Sequence, residues 1–184
     1  MARKIVVGIT GSSGAILGIR ALELLKKMKI ETHLVVTDMG KKVIEDETGY
    51  KIEDVEKLAA HTYRIDDFFA PIASGSFKTD GMIVVPCSMK TLAGIASGYS
   101  SNLLLRAADV MLKERRKLVL VAREMPLDLI HIRNMEAVTL AGAVVLPPMM
   151  TFYSKPKGIE EIVMHILGKA LDQFGLETGY KRWE

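Results

Sequence analysis

The sequence has few of the residues that build covalent or metal frameworks. Cys87 is the single cysteine among 184 residues. This excludes an intrachain disulfide network and a zinc site made only of cysteines. The histidines, His33, His61, His131 and His165, are scattered and show no usual metal-ligand spacing. The sequence therefore predicts no metal site.

An excess of charge of one sign is also missing. The 25 lysines and arginines nearly balance 22 aspartates and glutamates, for a formal net charge of +3. That balance argues against a dedicated nucleic-acid-binding protein. Hydrophobic residues make up 49% of the chain, which excludes intrinsic disorder. We expect one domain over residues 1–184, with a large core that suits a buried subunit interface.

Long hydrophobic runs are missing as well. The apolar run at residues 5–9 is too short for a secretory signal. Residues 137–154 carry no charge, but Gly142 and the Pro147-Pro148 pair interrupt them. This pattern favours a helix end, a buried strand and a loop over a membrane span. We therefore expect a soluble, cytoplasmic protein without membrane insertion.

Short apolar strands alternate with helical patterns along the chain. The predicted strands are residues 4–9, 31–37, 82–86, 118–122 and 143–147, with a further short one at 62–65; the predicted helices are one ending near residue 28 and those at 40–47, 53–60, 91–96, 102–115, 128–140 and 159–174. The strands are continuous Val/Ile/Leu runs, which is typical of strands buried on both faces. The order predicts an α/β fold with a doubly wound parallel sheet.

Ligands of such a sheet bind beyond the carboxyl ends of the strands. Residues 8–15, after the first strand, are small, but they match neither the dinucleotide fingerprint nor the P-loop. They can hold an anion at a helix N-terminus, or form a tight turn with Ser12 as helix cap. Residues 86–91 leave the same two alternatives open, with Ser88, Lys90 and Thr91 as the donors.

Polar residues follow the other strands too. Thr37 is best interpreted as a helix cap, and Glu47 lies in an acidic run that resembles a solvated helix end. Arg123 and Glu124 follow the fourth strand, and the arginine fork suits a phosphate or a flavin carbonyl. The alternative is a charged pair at a helix start, with Pro126 near the first helical position. The Met/Phe/Tyr-rich residues 147–154 can line an apolar pocket, or they can cover the core or an interface.

Three further cations and one thiol lie away from these turns. Arg106 and Lys113 share one helix face and Lys169 is mid-helix, with a solvated face as the alternative for all three. Cys87 continues a buried strand, which favours a core residue over a nucleophile. Together the residues predict a phosphorylated ligand with an apolar part, but they do not name the reaction.

Several segments occur together in one order: residues 106–116 and 118–126, supported by 8–15, 73–76, 86–92, 152–153, Pro156 and 182–183. In this combination the chain resembles the UbiX-type flavin prenyltransferases, within the homo-oligomeric flavin-containing cysteine decarboxylase superfamily. The resemblance implies a flavodoxin-like (Rossmann-type) three-layer sandwich that binds FMN at subunit interfaces, commonly in a dodecamer.

The resemblance also implies a reaction. A dimethylallyl group moves from dimethylallyl phosphate to N5 of reduced FMN, and a bond to C6 closes a new ring. The product, prenylated FMN, serves UbiD-type decarboxylases, and no metal is required. The sequence leaves the donor open between monophosphate and diphosphate, although one small cluster of cations suits a single phosphate.

The family's site residues map onto this sequence. The implied FMN-binding residues are Gly11, Ser12, Ser13, Thr37, Ser88, Met89, Lys90, Thr91, Arg106 and Arg123; the implied residues around the allylic phosphate are Lys113, Arg123, Tyr153 and Lys169; the implied catalytic residues are Ser13, Glu47, Lys113 and Glu124. Our hypothesis is that Glu124, with Ser13, moves protons and that Lys113 orients Glu47 and the phosphate. The roles of Glu47 and Glu124 can be exchanged.

Three other functions use a similar site. An FMN-dependent cysteine-type decarboxylase carries a Pro-Ala-Ser-Ala-Asn-Thr motif and a catalytic histidine. This chain has Lys90 in place of that asparagine, and residues 73–76 contain no histidine. A non-catalytic FMN carrier subunit would need no allylic-phosphate site. A direct aromatic-acid decarboxylase would turn over without a partner enzyme.

Overall fold

The computed structural model describes residues 3–183, and its centre is one parallel sheet of six strands. The strands are β1 (Lys4–Ile9), β2 (Glu31–Val36), β3 (His61–Tyr63), β4 (Gly81–Cys87), β5 (Lys117–Ala122) and β6 (Val144–Val145); the helices are α1 (Ala15–Lys27), α2 (Asp38–Thr48), α3 (Ile52–Glu56), α4 (Met89–Ala96), α5 (Leu103–Lys113), α6 (Leu129–Leu140) and α7 (Ile159–Asp172), with a 3₁₀ turn at Pro71–Ala73. Within these residues no helix is both long and apolar enough to cross a membrane.

The sheet is buried on both faces. Ile5, Val7 and Ile9 of β1 pack with α1 and α7 on one side, whereas Val6 packs with α5 on the other. Successive strand residues point to opposite faces, so a strand covered on both sides must be apolar throughout. The predicted doubly wound α/β fold is therefore confirmed.

The strand order is β3-β2-β1-β4-β5-β6. Without the three-residue edge strand β3, this is the flavodoxin order. The order reverses between β1 and β4, which pair in parallel with Ile5 opposite Gly81. Ligands of open α/β sheets bind at such a switch point, beyond the carboxyl ends of the strands.

Some predicted elements differ at their ends. The strand predicted at 143–147 is shorter in the structure and covers only Val144–Val145, because β6 is an edge strand that pairs only with Val119 and Leu120 of β5. The helix predicted at 53–60 is the short α3, since the chain turns after it so that β3 can pair with β2. The strand predicted at 62–65 is present as β3, displaced by one or two residues.

Helix direction decides which residues meet at the switch point. α1, α2 and α4 each begin just after the carboxyl end of a strand. α5 runs from the loop near Ile65 back toward the start of β5. Its last residue, Lys113, therefore lies at the amino ends of the strands, on the side of the sheet opposite the cleft. Over 11 residues α5 spans about 16 Å.

Candidate functional site

A cleft of about 690 Å³ lies at the switch point. Its wall includes Gly11 after β1, Thr37 after β2 and Ser88, Lys90 and Thr91 after β4. Clefts of about 300–1,000 Å³ are the usual size for cofactor sites. The structure thus brings together residues from three of the strand ends singled out in the sequence.

A buried threonine joins two of these strand ends. The Thr10 hydroxyl donates to the Pro86 carbonyl oxygen at 2.8 Å and accepts from the Ser88 backbone N–H, also at 2.8 Å. Thr10 is only 1% exposed, so the pair of bonds is shielded from water. Sequence reasoning missed this residue, although its position directly after β1 was a usable signal.

The predicted Thr37 cap is confirmed, and of the two alternatives at residues 86–91 the capped helix start is present. The Thr37 hydroxyl accepts from the Gly40 N–H at 3.0 Å and begins α2. The Ser88 hydroxyl accepts from the Thr91 N–H at 3.3 Å, begins α4 and donates to the Thr91 hydroxyl. Each cap holds its hydroxyl at the cleft wall.

Of the two alternatives at residues 8–15, the one with Ser12 as helix cap is wrong. Gly14 precedes α1 with a φ of 99°, a left-handed conformation that favours glycine, and it caps the helix without a side-chain hydrogen bond. The Ser12 Oγ is instead buried and has no hydrogen-bond partner within residues 3–183. A buried hydroxyl without a partner is costly, and a bound polar ligand would satisfy it.

The carboxylate of Glu47 occupies the N-terminus of α1. Its Oε2 accepts from the backbone N–H groups of Gly14 at 2.8 Å and Ala15 at 3.2 Å. Loss of hydration raises the pKa of Glu47, but the hydrogen bonds of Ser13, Gly14 and Ala15, with the charge of Arg123, leave that pKa below its ordinary value. Glu47 is therefore a fixed negative charge at neutral pH.

This contact distinguishes Glu47 from its acidic neighbours Glu45 and Asp46. It also means that the first predicted anion site, the start of α1, already holds an anion of the protein itself. Nothing in the local sequence could show this, because Glu47 reaches Gly14 across 33 residues.

Arg123 and Glu124 follow β5 at the same edge of the sheet. The Arg123 N–H donates to the Cys87 carbonyl at 3.0 Å, and the Arg123 charge acts on Glu47. The Glu124 side chain is exposed and accepts only from the Met125 N–H, among the described residues. Cys87 is fully buried and burial raises its pKa to about 12, which confirms a core residue.

Arg106 and Lys113 lie seven residues, or about 10 Å, apart along α5. Arg106 donates to the Ala73 carbonyl at 3.0 Å and pairs with Asp109 at 2.6 Å. Lys113 pairs with Glu114 beside Gly75, where an added Cβ would lie 2.8 Å from the Lys113 Nζ. Within one chain Lys113 does not reach Glu47, because α5 carries it to the opposite edge of the sheet.

Tyr153, in the loop after β6, and Lys169 of α7 both lie near His165. The Tyr153 hydroxyl lies 3.3 Å from the His165 Nε2, and the Tyr153 ring makes an edge contact with Trp183. Burial, and then the Lys169 charge one turn along α7, lower the pKa of His165. Sequence reasoning missed this histidine, although its spacing of four from Lys169 was a signal.

The chain is similar to known flavoproteins over nearly its whole length. A family model described as Flavoprotein matches residues 1–171. A probable UbiX-like flavin prenyltransferase from Bacillus subtilis (strain 168) is 56% identical over 181 residues, which cover 98% of this chain and 89% of the relative.

Solved structures agree. A UbiX protein in complex with FMN and dimethylallyl pyrophosphate is 52% identical, with a TM-score of 0.99 over 100% of this chain and 98% of that one. A dodecameric FMN-dependent UbiX-like decarboxylase from Escherichia coli O157:H7 is 53% identical, with a TM-score of 0.96 over 98% and 99% of the two chains. The fold, the cleft at the switch point and these similarities together show that the chain belongs to the flavoprotein family and, within it, to the UbiX-type flavin prenyltransferases.

Proposed function

We propose that this protein transfers a dimethylallyl group from dimethylallyl phosphate to reduced FMN. The observation that carries the proposal is the 690 Å³ cleft at the β1/β4 switch point, in a chain 52% identical to a UbiX protein that binds FMN and dimethylallyl pyrophosphate. The C–O bond of the donor breaks, N5 of the flavin exchanges its proton for the allylic carbon, and phosphate leaves. In ring closure one alkene carbon of the transferred group gains a proton, the other bonds to C6, and C6 gives up its proton, so this step is a net isomerisation.

The residues around the cleft fit FMN. The Ser12 hydroxyl lacks a partner within residues 3–183, the exposed Lys90 carries an ammonium, and Thr37 and Ser88 hold hydroxyls at the wall. These donors suit a phosphate and the polar edge of a flavin. When bound, reduced FMN supplies the nucleophilic N5 and C6 atoms.

The two carboxylates are suited to different roles. Glu47 is held ionised by hydrogen bonds at the start of α1, so it takes up a proton less readily than an ordinary carboxylate. Glu124 is exposed and is held by one backbone bond. We therefore assign proton removal from C6 to Glu124. Glu47, which is hydrogen-bonded to Ser13, supplies a fixed negative charge that orients the reactants.

One chain does not hold the whole site. The implied residues fall into three groups: Gly11, Ser13, Thr37, Glu47, Ser88 and Arg123 near the cleft, Arg106 and Lys113 on α5, and Tyr153 in the loop after β6 with Lys169 on α7. A single chain thus leaves the cations of the allylic phosphate apart. We propose that neighbouring subunits bring them together, with Arg123 completing the set that stabilises the leaving phosphate.

An exposed apolar surface supports this assembly. Leu129, Ile130 and Ile132 of α6 are 59%, 66% and 52% exposed, and Met149 and Phe152 in the loop after β6 are 71% and 68% exposed. Exposed large apolar side chains in such number are typical of surfaces that bind another protein. Together with the dodecameric relative, it leads us to propose a homo-oligomer, commonly a dodecamer.

Prenylated FMN is of use only to an enzyme that accepts it. We propose a UbiD-type decarboxylase as that recipient, with both proteins in the cytoplasm and residues 1–184 acting as a single flavoprotein domain. Cell fractionation checks the cytoplasmic location. Limited proteolysis checks the single domain, which should give no stable fragment.

The test is to mix the purified protein anaerobically with reduced FMN and dimethylallyl monophosphate, then identify the extracted flavin by mass spectrometry. We expect a gain of one isoprene unit. The diphosphate is tested in parallel, because the donor class is still a prediction. Unmodified FMN with both donors would overturn the proposal: tight binding alone would favour a carrier, and release of CO₂ from an aromatic or cysteine-type acid without a partner would favour a decarboxylase.

A further inference from the structure

Three side chains that the sequence separates meet at the first residues of β2 and β3. His33 and His61 are direct partners in the parallel β2–β3 pair, and their rings stack with centroids 4.8 Å apart. Glu31 precedes His33 by two residues, so both side chains lie on one face of the sheet. The Glu31 Oε1 is 3.3 Å from the Nε2 of His33 and 3.3 Å from the Nε2 of His61.

His33 is buried and incompletely bonded. It is 2% exposed, and its Nε2 has no partner with hydrogen-bond geometry within residues 3–183, despite the nearby Glu31 oxygen. Its Nδ1 lies 2.9 Å from the Tyr63 hydroxyl oxygen. If Nδ1–H donates to that oxygen, Nε2 presents a bare lone pair toward Glu31 and His61, as in histidines that bind metals.

We propose that Glu31, His33 and His61 bind a zinc ion. Two imidazole nitrogens and one carboxylate oxygen are ligands that Zn²⁺ commonly takes, with water in the fourth position. The same set suits Mg²⁺ and Ca²⁺ poorly, because these ions prefer oxygen ligands. The site is separate from prenyl transfer, for which no metal is expected.

The distances fit this ion. Ligands about 2.1 Å from a tetrahedral zinc lie about 3.4 Å from one another. Both distances from Glu31 are 3.3 Å, and all three ligand atoms lie within 4.8 Å of one another. For tetrahedral binding, the two histidine Nε2 atoms also have to come to about 3.4 Å from each other. We expect His61 to make this movement, because its side chain is 50% exposed and can rotate without disturbing the core.

Lys4 competes for the same carboxylate. Its Nζ lies 3.1 Å from the Glu31 Oε1 and 5.0 Å from the centre of the Phe77 ring. In the metal-free protein this ammonium neutralises Glu31, so a zinc ion has to displace it. Removing the Lys4 charge should therefore strengthen zinc binding, an effect that an unrelated surface site would not show.

The proposed site is far from the cleft. Glu31 begins β2, whereas Thr37 follows its end, and a six-residue strand spans about 20 Å. Zinc would join the short edge strand β3 to β2 from the amino side of the sheet. We expect it to stabilise the folded chain without changing FMN binding, since the ion binds the folded state and the unfolded chain holds no such site.

The test is isothermal titration of the metal-stripped full chain with ZnCl₂ in a buffer that does not chelate zinc. We expect one ion per chain, about tenfold or more weaker binding in His61→Gln, and tighter binding in Lys4→Gln. His131→Gln is the matched control, because His131 lies 3.5 Å from the Asp128 carboxylate without a second imidazole. It should bind zinc like the wild type.

Cobalt(II) gives a second readout, since tetrahedral coordination by these ligands should produce visible absorption bands that His61→Gln loses. The proposal is overturned if the wild type binds zinc no better than His61→Gln, or if Lys4→Gln leaves the affinity unchanged. His61 lies outside the proposed prenylation machinery, so flavin binding by His61→Gln verifies that this variant is folded.

Discussion

Replacing Glu47 by glutamine tests whether its carboxylate stabilises the first turn of α1. The wild-type oxygen accepts from the N–H groups of Gly14 and Ala15, at the positive end of the helix. Glutamine keeps the size and one acceptor oxygen but removes the charge. A charge at a helix N-terminus is worth about 0.3–1 kcal/mol at an exposed position. Since Glu47 is exposed, we expect Glu47→Gln to lower the free energy of unfolding by about 0.5–1 kcal/mol at pH 7.

The pH dependence provides a sharper test. The folded-state pKa of Glu47 lies below that of the unfolded chain, which is about 4.3. The stabilisation is therefore fully present above about pH 4.3 and is lost as the pH falls through the lower folded pKa. The difference between wild type and Glu47→Gln should be constant near neutral pH and should shrink in acid.

The assay is urea unfolding of the flavin-free protein at matched chain concentration, at pH 7 and in an acidic series. Glu45→Gln is the control, because it removes the same charge from the same helix at an exposed position away from Gly14. If the two variants lose equal stability at pH 7, or if the Glu47 difference persists undiminished in acid, the capping role is refuted.

Two further predictions concern the cleft and the assembly. In Gly11→Ala the new Cβ would lie 2.3 Å from the Met39 Cγ, so the cleft wall must shift. We expect the FMN affinity, measured by fluorescence quenching, to fall several-fold. Gly158→Ala is the control and should bind FMN normally, because the space around Gly158 is open. In Lys113→Met we expect FMN to stay bound while prenyl transfer falls. If Lys113 acts in a neighbouring subunit, mixed oligomers of Lys113→Met and Glu124→Gln should regain part of the activity by mass spectrometry; unchanged turnover in Lys113→Met alone would contradict its role.

Local patterns in the sequence were enough to predict the sheet and the Thr37 helix cap, and they offered the Ser88 cap as one of two alternatives. Continuous apolar runs predict strands buried on both faces, and Thr37 and Ser88 cap the helices that follow their strands. These features depend only on neighbouring residues, so a single sequence contains them. Edge elements such as β6 are less predictable, because their length depends on how much of a neighbouring strand they pair with.

The parts that could not be predicted depend on long-range contacts. Glu47 reaches the start of α1 from the end of α2, and the Ser12 hydroxyl is therefore left without the capping role that its position suggests. His33 and His61 meet only because β2 and β3 pair in that register. The spacing of Arg106 and Lys113 correctly indicates one helix, but only the direction of α5 shows that Lys113 lies away from the cleft.

The charge distribution of one chain gives a physical reason for the proposed division of the site among subunits. Arg106 is paired with Asp109 and Lys113 with Glu114, so these cations are already neutralised in the isolated chain. Several free cations in one folded chain would repel one another before any phosphate bound. If Lys113 and Lys169 instead meet Arg123 only where subunits join, the cations repel one another only in the oligomer. There the negative charge of the allylic phosphate can balance that repulsion. Donor binding should then stabilise the oligomer, whereas folding of each chain should proceed without it.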